Sequence, residues 1–117
     1  MKIHSFLLAG SLFLASFSTG QAQNNSEYME DIQEADQQFL LENFSRAESL
    51  YNDAKSHASS ASEKSYVHYK LGTVYLRLND KVRARQEWRS GLEVLEQDGG
   101  NAAIQLHLKQ ALRNNGL

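Results

Sequence analysis

Apolar side chains recur every three or four residues along most of the chain beyond residue 26, with short polar interruptions between the runs. This spacing puts the apolar side chains of each run on one side of an α-helix. The pattern predicts an all-α fold of about five helices. They should cover about residues 26–42, 44–57, 60–78, 80–97 and 101–113.

Capping residues indicate where these helices begin and end. Residues 45–48 (Ser-Arg-Ala-Glu) and 60–63 (Ser-Ala-Ser-Glu) match the capping box, in which a serine and a glutamate satisfy backbone N–H groups at a helix start. Asn101 suits the N-cap of the fifth helix. Gly99-Gly100 should end the fourth helix, because glycine accepts the left-handed conformation past a helix C-terminus.

The third predicted helix differs from the others because it carries two apolar stripes. One stripe consists of Val67, Leu71, Val74 and Leu78, and the nearly opposite one of Tyr66, Tyr69, Thr73 and Leu76. A helix that is apolar on two faces is either packed between neighbours or leaves one face for a ligand. We therefore expect the third helix to be central.

The remaining stripes predict which side chains of the other helices face inward. They are Tyr28, Ile32, Ala35 and Phe39 in the first helix; Val82, Trp88, Leu92 and Leu95 in the fourth; and Ile104, Leu108, Ala111 and Leu112 in the fifth. The first and fifth helices are amphipathic and single-faced. Each suits an end of a helix stack, and the fifth suits a cover over an otherwise open pair.

A signal peptide is predicted over residues 1–22. Residues 1–4 form a short basic start, residues 6–17 an apolar run, and Gly20-Gln21-Ala22 a small-residue cleavage site. The run is shorter than the roughly 20 residues of a membrane span; an uncleaved anchor is the alternative. We expect an exported protein, periplasmic or secreted, with residues 23–117 forming one helical domain and no stable membrane span after cleavage.

Composition narrows the possible functions. The chain has no cysteine, so no disulfide supports it, and its formal net charge is −2. A mildly acidic balance argues against nucleic acid as the partner. Charged residues from 26 to 43 are all acids, whereas bases prevail from 77 to 89. One interpretation is that these runs are ordinary solvated helix faces. The other is that the uneven charge attracts an oppositely charged partner or pairs copies of the chain head to tail.

The chain contains an internal repeat with an offset of 37 residues. Corresponding positions are Ala35 and Gly72, Phe44 and Lys81, Ala47 and Ala84, Tyr51 and Trp88, and Ala54 and Gly91. Small residues thus recur where one helix approaches another, and large residues recur between them. The repeat predicts two similar helix pairs that stack on each other.

The second copy, about residues 65–98, resembles the tetratricopeptide repeat family. Leu71-Gly72 and Tyr75 match the first helix of that repeat, and Ala84, Trp88 and Gly91 match the second. The first copy, about residues 28–61, matches well only in its second half. Lys81 replaces an aromatic residue, Glu34 and Gln38 replace an apolar pair, and the closing proline is missing from both copies.

The resemblance implies antiparallel helix pairs stacked as a short α-solenoid, with a covering helix over about residues 101–114. The internal packing of the repeats is then expected to involve Ala35, Phe44, Ala47, Tyr51, Ala54, Leu71, Gly72, Tyr75, Ala84, Trp88 and Gly91. Three repeats are usually needed for stability. Either the covering helix completes the core, or a partner or a second copy of the chain does.

In this family the first helices of successive repeats line a concave groove that binds peptides or extended segments. The resemblance assigns to this groove Tyr66, Tyr69, Thr73, Leu76 and Arg77 of the third helix, and Met29, Ile32, Asp36, Phe39 and Leu40 of the first. The alternative is that Ile32, Phe39, Tyr69 and Leu76 pack the first helix against the third. The lysines and asparagines of the carboxylate-clamp subfamily are missing from these positions.

These observations predict a non-enzymatic protein–protein interaction module of the cell envelope that binds a partner segment in the groove. Self-association as a structural component of an envelope assembly is the alternative. An enzyme is a third hypothesis, with little support because His57, His68 and His107 are scattered and there is no thiol. We expect no cofactor and no metal.

Overall fold

The computed structural model describes residues 26–116, so the predicted signal peptide lies outside the described part. Its five helices are α1, whose described part covers residues 26–40; α2, Phe44–His57; α3, Ala61–Arg77; α4, Lys81–Asp98; and α5, Ala102–Asn114. No strand occurs between residues 26 and 116. The all-α fold with packed helix pairs is therefore confirmed.

The helix ends follow the capping residues in three of four predicted places. The Ser60 hydroxyl accepts from the Glu63 N–H at 3.1 Å, and the Glu63 carboxylate accepts from the Ser60 N–H at 3.1 Å, which completes the capping box. The Asn101 side chain accepts hydrogen bonds from the N–H groups of Ala103 and Ile104, the second and third residues of α5. Gly99 follows α4 with a φ of 69°, in the left-handed region where glycine carries no steric penalty.

The predicted capping box at residues 45–48 is wrong. α2 begins at Phe44 with Asn43 as N-cap, so Ser45 already lies inside the first turn. The Glu48 carboxylate is free for another role, and it accepts a hydrogen bond from the Tyr75 hydroxyl of α3 at 3.0 Å. A contact between helices has thus taken the place of a local one.

The repeat is visible in the burial of its residues. Four corresponding pairs are buried on both sides: Ala35 and Gly72, Ala47 and Ala84, Tyr51 and Trp88, and Ala54 and Gly91. In the fifth pair Phe44 is partly buried and Lys81 is exposed. The two halves therefore share one packing pattern, and they differ where the second copy has a lysine.

The backbone repeats as well. Glu42 and Asn79, which lie 37 residues apart, have φ values of 62° and 63°. The residue after each of them donates its backbone N–H to a carbonyl five residues earlier. Asn43 donates to Gln38 at 2.9 Å, and Asp80 donates to Tyr75 at 2.8 Å. This is the hydrogen-bond pattern of a Schellman motif, which ends a helix on one left-handed residue. The α1–α2 and α3–α4 turns are thus built in the same way.

α3 is the central helix, as its two apolar stripes predict. It packs against α2, α4 and α5, and its side chains also bond to α1. The buried apolar core extends from Tyr28 in α1 to Leu108 in α5. α5 covers the α3–α4 pair through Leu108, with Ile104, Ala111 and Leu112 partly buried around it.

The inward orientation predicted for Val82 is wrong, since 57% of this residue is exposed. The buried positions of α4 are Ala84, Trp88, Gly91 and Leu95. Val82 lies two residues before Ala84, about 200° around the helix at 100° per residue, and so faces away from the core. Leu92 is partly buried.

The closest approach in the core joins α3 and α4 at Gly72 and Trp88. The Trp88 ring is 1% exposed and its Nε1–H donates to the Tyr69 carbonyl of α3 at 3.1 Å. A Cβ atom at residue 72 would overlap the indole ring. Only glycine therefore lets the ring lie against the α3 backbone.

We expect Gly72→Ala to lower the free energy of unfolding by about 1–3 kcal/mol, because the buried indole must shift to admit the methyl group. The change opposes the usual gain of about 0.5–1 kcal/mol from alanine over glycine within a helix. Urea unfolding followed by circular dichroism measures the difference.

Gly91→Ala is the matched control. Its added Cβ would lie 3.1 Å from the Leu108 methyl groups and 3.2 Å from the His68 Cβ, which is tight but without the overlap found at residue 72. The loss should be smaller than for Gly72→Ala. A Gly72→Ala variant as stable as the wild type would contradict this account of the contact.

Candidate binding surface

One face of α3 is neither buried in the core nor fully exposed. It carries Tyr66, Tyr69, Lys70, Thr73 and Leu76, which are all partly buried, and Arg77, which is exposed. Their spacing of three and four residues aligns them along the helix. We call these six residues the α3 stripe. They include the five residues that the sequence assigns to α3 in the groove.

The carboxylate of Asp36 joins the α3 stripe to two other helices. It accepts hydrogen bonds from the Tyr51 hydroxyl of α2 and, at 3.2 Å, from the Tyr66 hydroxyl of α3. The Lys70 Nζ lies 3.5 Å from the same carboxylate. Three helices therefore meet at one acid of α1, and its contacts hold the polar side chains at this edge of the α3 stripe.

Burial raises the pKa of the tyrosine hydroxyls near Asp36. Desolvation, followed by the hydrogen bond to Asp36, raises the pKa of Tyr51. Desolvation and then the charge of Asp36 raise the pKa of Tyr66. Desolvation, with smaller contributions from Glu63 and Asp36, raises the pKa of Tyr28 to about 12. Each hydroxyl remains a hydrogen-bond donor at neutral pH.

The end of the stripe near the helix turns combines aromatic rings with cations. Phe39 and Phe44 pack edge to face with ring centroids 5.5 Å apart. The Lys70 Nζ lies 4.9 Å from the Phe39 centroid, and the Arg77 guanidinium 4.7 Å from that of Phe44. Arg77 also donates to Glu42 at 3.0 Å. Cations over aromatic faces are favourable, and here they hold two long side chains at the surface.

The opposite edge of the stripe faces α5. The Tyr69 ring stacks on the His107 imidazole with centroids 5.7 Å apart. The Thr73 hydroxyl donates to the Tyr69 carbonyl at 3.0 Å, within the helix. The surface thus runs from Asp36 on α1, across α3, to His107 on α5.

The structure distributes the predicted groove residues among several environments. Tyr66 and Asp36 bond each other, Arg77 lies beside Phe44, and Tyr69 lies beside α5. Met29 and Leu40 are 44% and 82% exposed. Of the four residues in the packing alternative, Ile32 is buried, and Phe39, Tyr69 and Leu76 are partly buried against the core.

Sequence reasoning missed Lys70 and His107 as members of this surface. Lys70 lies four residues after Tyr66 and three before Thr73, so helical spacing alone places it in the stripe. His107 could not be found in this way, because its contact with Tyr69 depends on how α5 packs. Only the tertiary structure reveals that His107 belongs to this surface.

The other histidines connect neighbouring helices. His57 of α2 lies 3.2 Å from Glu27 and 3.0 Å from Asp31 of α1, one carboxylate at each ring nitrogen. His68 of α3 lies 2.7 Å from Glu87 of α4. In the described residues no group of three or more His, Cys, Asp or Glu side chains is arranged to hold a metal ion.

Comparison of the chain with protein-family models, curated proteins and solved structures gives no match. Within residues 26–116, no helix has the length and apolar character needed to cross a membrane.

We expect Asp36→Ala to lower the free energy of unfolding by about 1–3 kcal/mol, because the buried Tyr51 hydroxyl loses its acceptor. Glu34→Ala on the same helix is the matched control. Its exposed pair with Arg46 contributes about 0–1 kcal/mol. Urea unfolding measures both free energies. Equal decreases in the two variants would contradict the claim that Asp36 contributes more than an exposed acid.

Alkaline pH should destabilise the fold through these tyrosines. Their pKa is higher in the folded chain than the ordinary value of 10.0, so their contribution to stability is complete below that pH. It is lost as pH rises through the folded pKa, which for Tyr28 is about 12. Tyr51→Phe should flatten the decline in the free energy of unfolding above pH 10.0. An unchanged decline would contradict the assignment to Tyr51.

Proposed function

We propose that this protein is a non-enzymatic interaction module that binds a segment of another protein across α1, α3 and α5. The observation that carries the proposal is the α3 stripe, a row of partly exposed aromatic and cationic side chains on the central helix. Most apolar side chains of a central helix are buried in the core. A face left half open there is available to a partner.

The chemistry of the stripe suits a peptide segment. Tyrosine and arginine are enriched among the residues that contribute most to protein interfaces. The Asp36, Tyr66 and Lys70 contacts fix one wall, and the stacked Tyr69 and His107 rings fix the other. Because these side chains are already positioned, a bound segment would lose little of its binding energy to ordering them.

The internal repeat supports an assignment to the tetratricopeptide repeat family. Four of the five corresponding pairs are buried alike, and the two helix turns share one hydrogen-bond pattern. In that arrangement α1, α3 and α5 take the places of the groove-lining first helices. The family, and with it the groove, remains part of the proposal.

The proposal includes export to the periplasm or secretion, and it rests for this on the predicted signal peptide of residues 1–22. It gives the described histidines no catalytic role. His57 and His68 contact carboxylates of neighbouring helices, and His107 stacks on Tyr69.

Site-specific photo-crosslinking in intact cells tests the groove. A photoreactive residue at Thr73, in the middle of the stripe, should capture one protein. Combining this probe with Tyr69→Ala and Arg77→Ala should reduce the yield of that adduct by at least about tenfold, which corresponds to about 1.4 kcal/mol of binding energy.

The matched control carries the photoreactive residue at Gln86, an exposed position of α4 outside the stripe. It should not give the same adduct. Circular dichroism of each variant establishes that helicity is retained. Equal capture from both positions, or an adduct that survives the double replacement, would show that the partner binds elsewhere.

A further inference from the structure

α1 and α5 occupy opposite ends of the helix stack. The contacts of α1 described above are with α2 and α3, and α5 packs on α3 and α4. Each end helix buries only one face, α1 through Tyr28, Ile32 and Ala35 and α5 through Leu108. The outer face of each is left without a neighbouring helix in the described chain.

The two outer faces carry opposite charge. Every charged residue between positions 26 and 40 is an acid, whereas the charged residues of α5, Lys109 and Arg113, are both bases. Glu30 and Glu34 are exposed on α1, and Lys109 and Arg113 are exposed on α5. The acids are four residues apart, and so are the bases. Both pairs therefore lie on one helix face with the same separation.

One exposed leucine of each helix lies along the same alignment. In an antiparallel pair that places Glu30 beside Arg113, Glu34 falls beside Lys109 and Leu40 beside Ala103. Leu40 is 82% exposed, and Gln37 would lie beside Leu106, which is 51% exposed. Antiparallel packing also brings the N-terminal half of α1 to the C-terminal half of α5, where the helix dipoles attract.

We infer that α1 of one copy docks antiparallel on α5 of a second copy of this chain. α5 packs on α3 and α4 through one face, and no helix of the described chain lies beside its outer face. α1 of the next copy takes that place. Glu34 lies 3.1 Å from Arg46 of its own chain with both side chains exposed, so docking exchanges this contact for the one with Lys109.

The contact is head to tail, because the two surfaces that meet are different. Each added copy presents a new α1 and a new α5, so copies associate into open chains or closed rings. Since the pairing groups are exposed, salt at or above physiological strength screens them. Assembly should therefore decrease as salt concentration increases.

Reversal of charge at either end tests the contact. Protein purified after expression of the full chain is measured by light scattering at low and high salt. Wild-type protein should show masses of several copies at low salt and shift toward one copy at high salt. Glu30→Lys with Glu34→Lys, and separately Lys109→Glu with Arg113→Glu, should each give the mass of a single copy.

Mixing the two charge-reversed variants tests directly whether α1 of one copy meets α5 of another. The basic α1 of the first variant meets the acidic α5 of the second, and the native acidic α1 of the second meets the native basic α5 of the first. Both contacts are attractive, so the mixture should regain masses of several copies. Arg85→Glu with Arg89→Glu on α4 makes the same net charge change as the α5 variant, and it should assemble like the wild type.

A wild-type protein with the mass of one copy at low salt would overturn the inference. So would association in either end variant alone, or a mixture that stays monomeric although circular dichroism shows both variants to be folded. The contact uses the outer faces of α1 and α5 and not the α3 stripe. Capture from Thr73 can therefore fail while assembly persists, or the reverse.

Discussion

The Trp88 indole resting on the α3 backbone at Gly72 is the contact on which the other packing depends. Without a side chain at residue 72, the ring reaches the Tyr69 carbonyl and donates to it from Nε1 at 3.1 Å. That carbonyl already serves the helix's own hydrogen-bond ladder. The contact fixes both the distance between α3 and α4 and the rotation of α3 about its axis. The direction in which the α3 stripe points follows from that rotation.

The first repeat solves the same packing problem with different residues. Alanine replaces glycine at residue 35, and the smaller ring of Tyr51 replaces the indole. The Tyr51 hydroxyl reaches Asp36, next along α1 from Ala35. In the second repeat the aromatic side chain therefore donates to a backbone carbonyl, and in the first repeat it donates to a carboxylate. The second solution adds Tyr66 and Lys70 of α3, and so ties the two repeats together.

Much of the fold could be predicted because it depends on local spacing. The 37-residue repeat locates the small and large core residues, and polar turns locate the helix ends. The equivalent left-handed residues, Glu42 and Asn79, show where local reasoning reaches its limit. Asparagine tolerates that conformation, whereas glutamate has no local preference for it. Position 42 adopts it because the packing of the repeat requires the same turn.

The errors and omissions arise where a distant residue competes with a local preference. Glu48 could have capped α2, but Tyr75, 27 residues away, takes its carboxylate. Asp36 bonds to Tyr51 and Tyr66, which lie 15 and 30 residues further along the chain. Helical periodicity within one helix cannot predict such contacts between helices. Residue type and spacing thus identify the α3 stripe as a face. They do not reveal which of its side chains already have partners within the chain.

The polar cluster around Asp36 and the charged residues at the ends of the helix stack differ in how far they are exposed to solvent. Around Asp36 the donors and acceptor are partly buried and come from three helices, so salt screens them weakly. Glu30, Glu34, Lys109 and Arg113 are exposed at the ends of the stack. Ionic strength should therefore affect the exposed charges at the ends of the stack more than the partly buried contacts around Asp36.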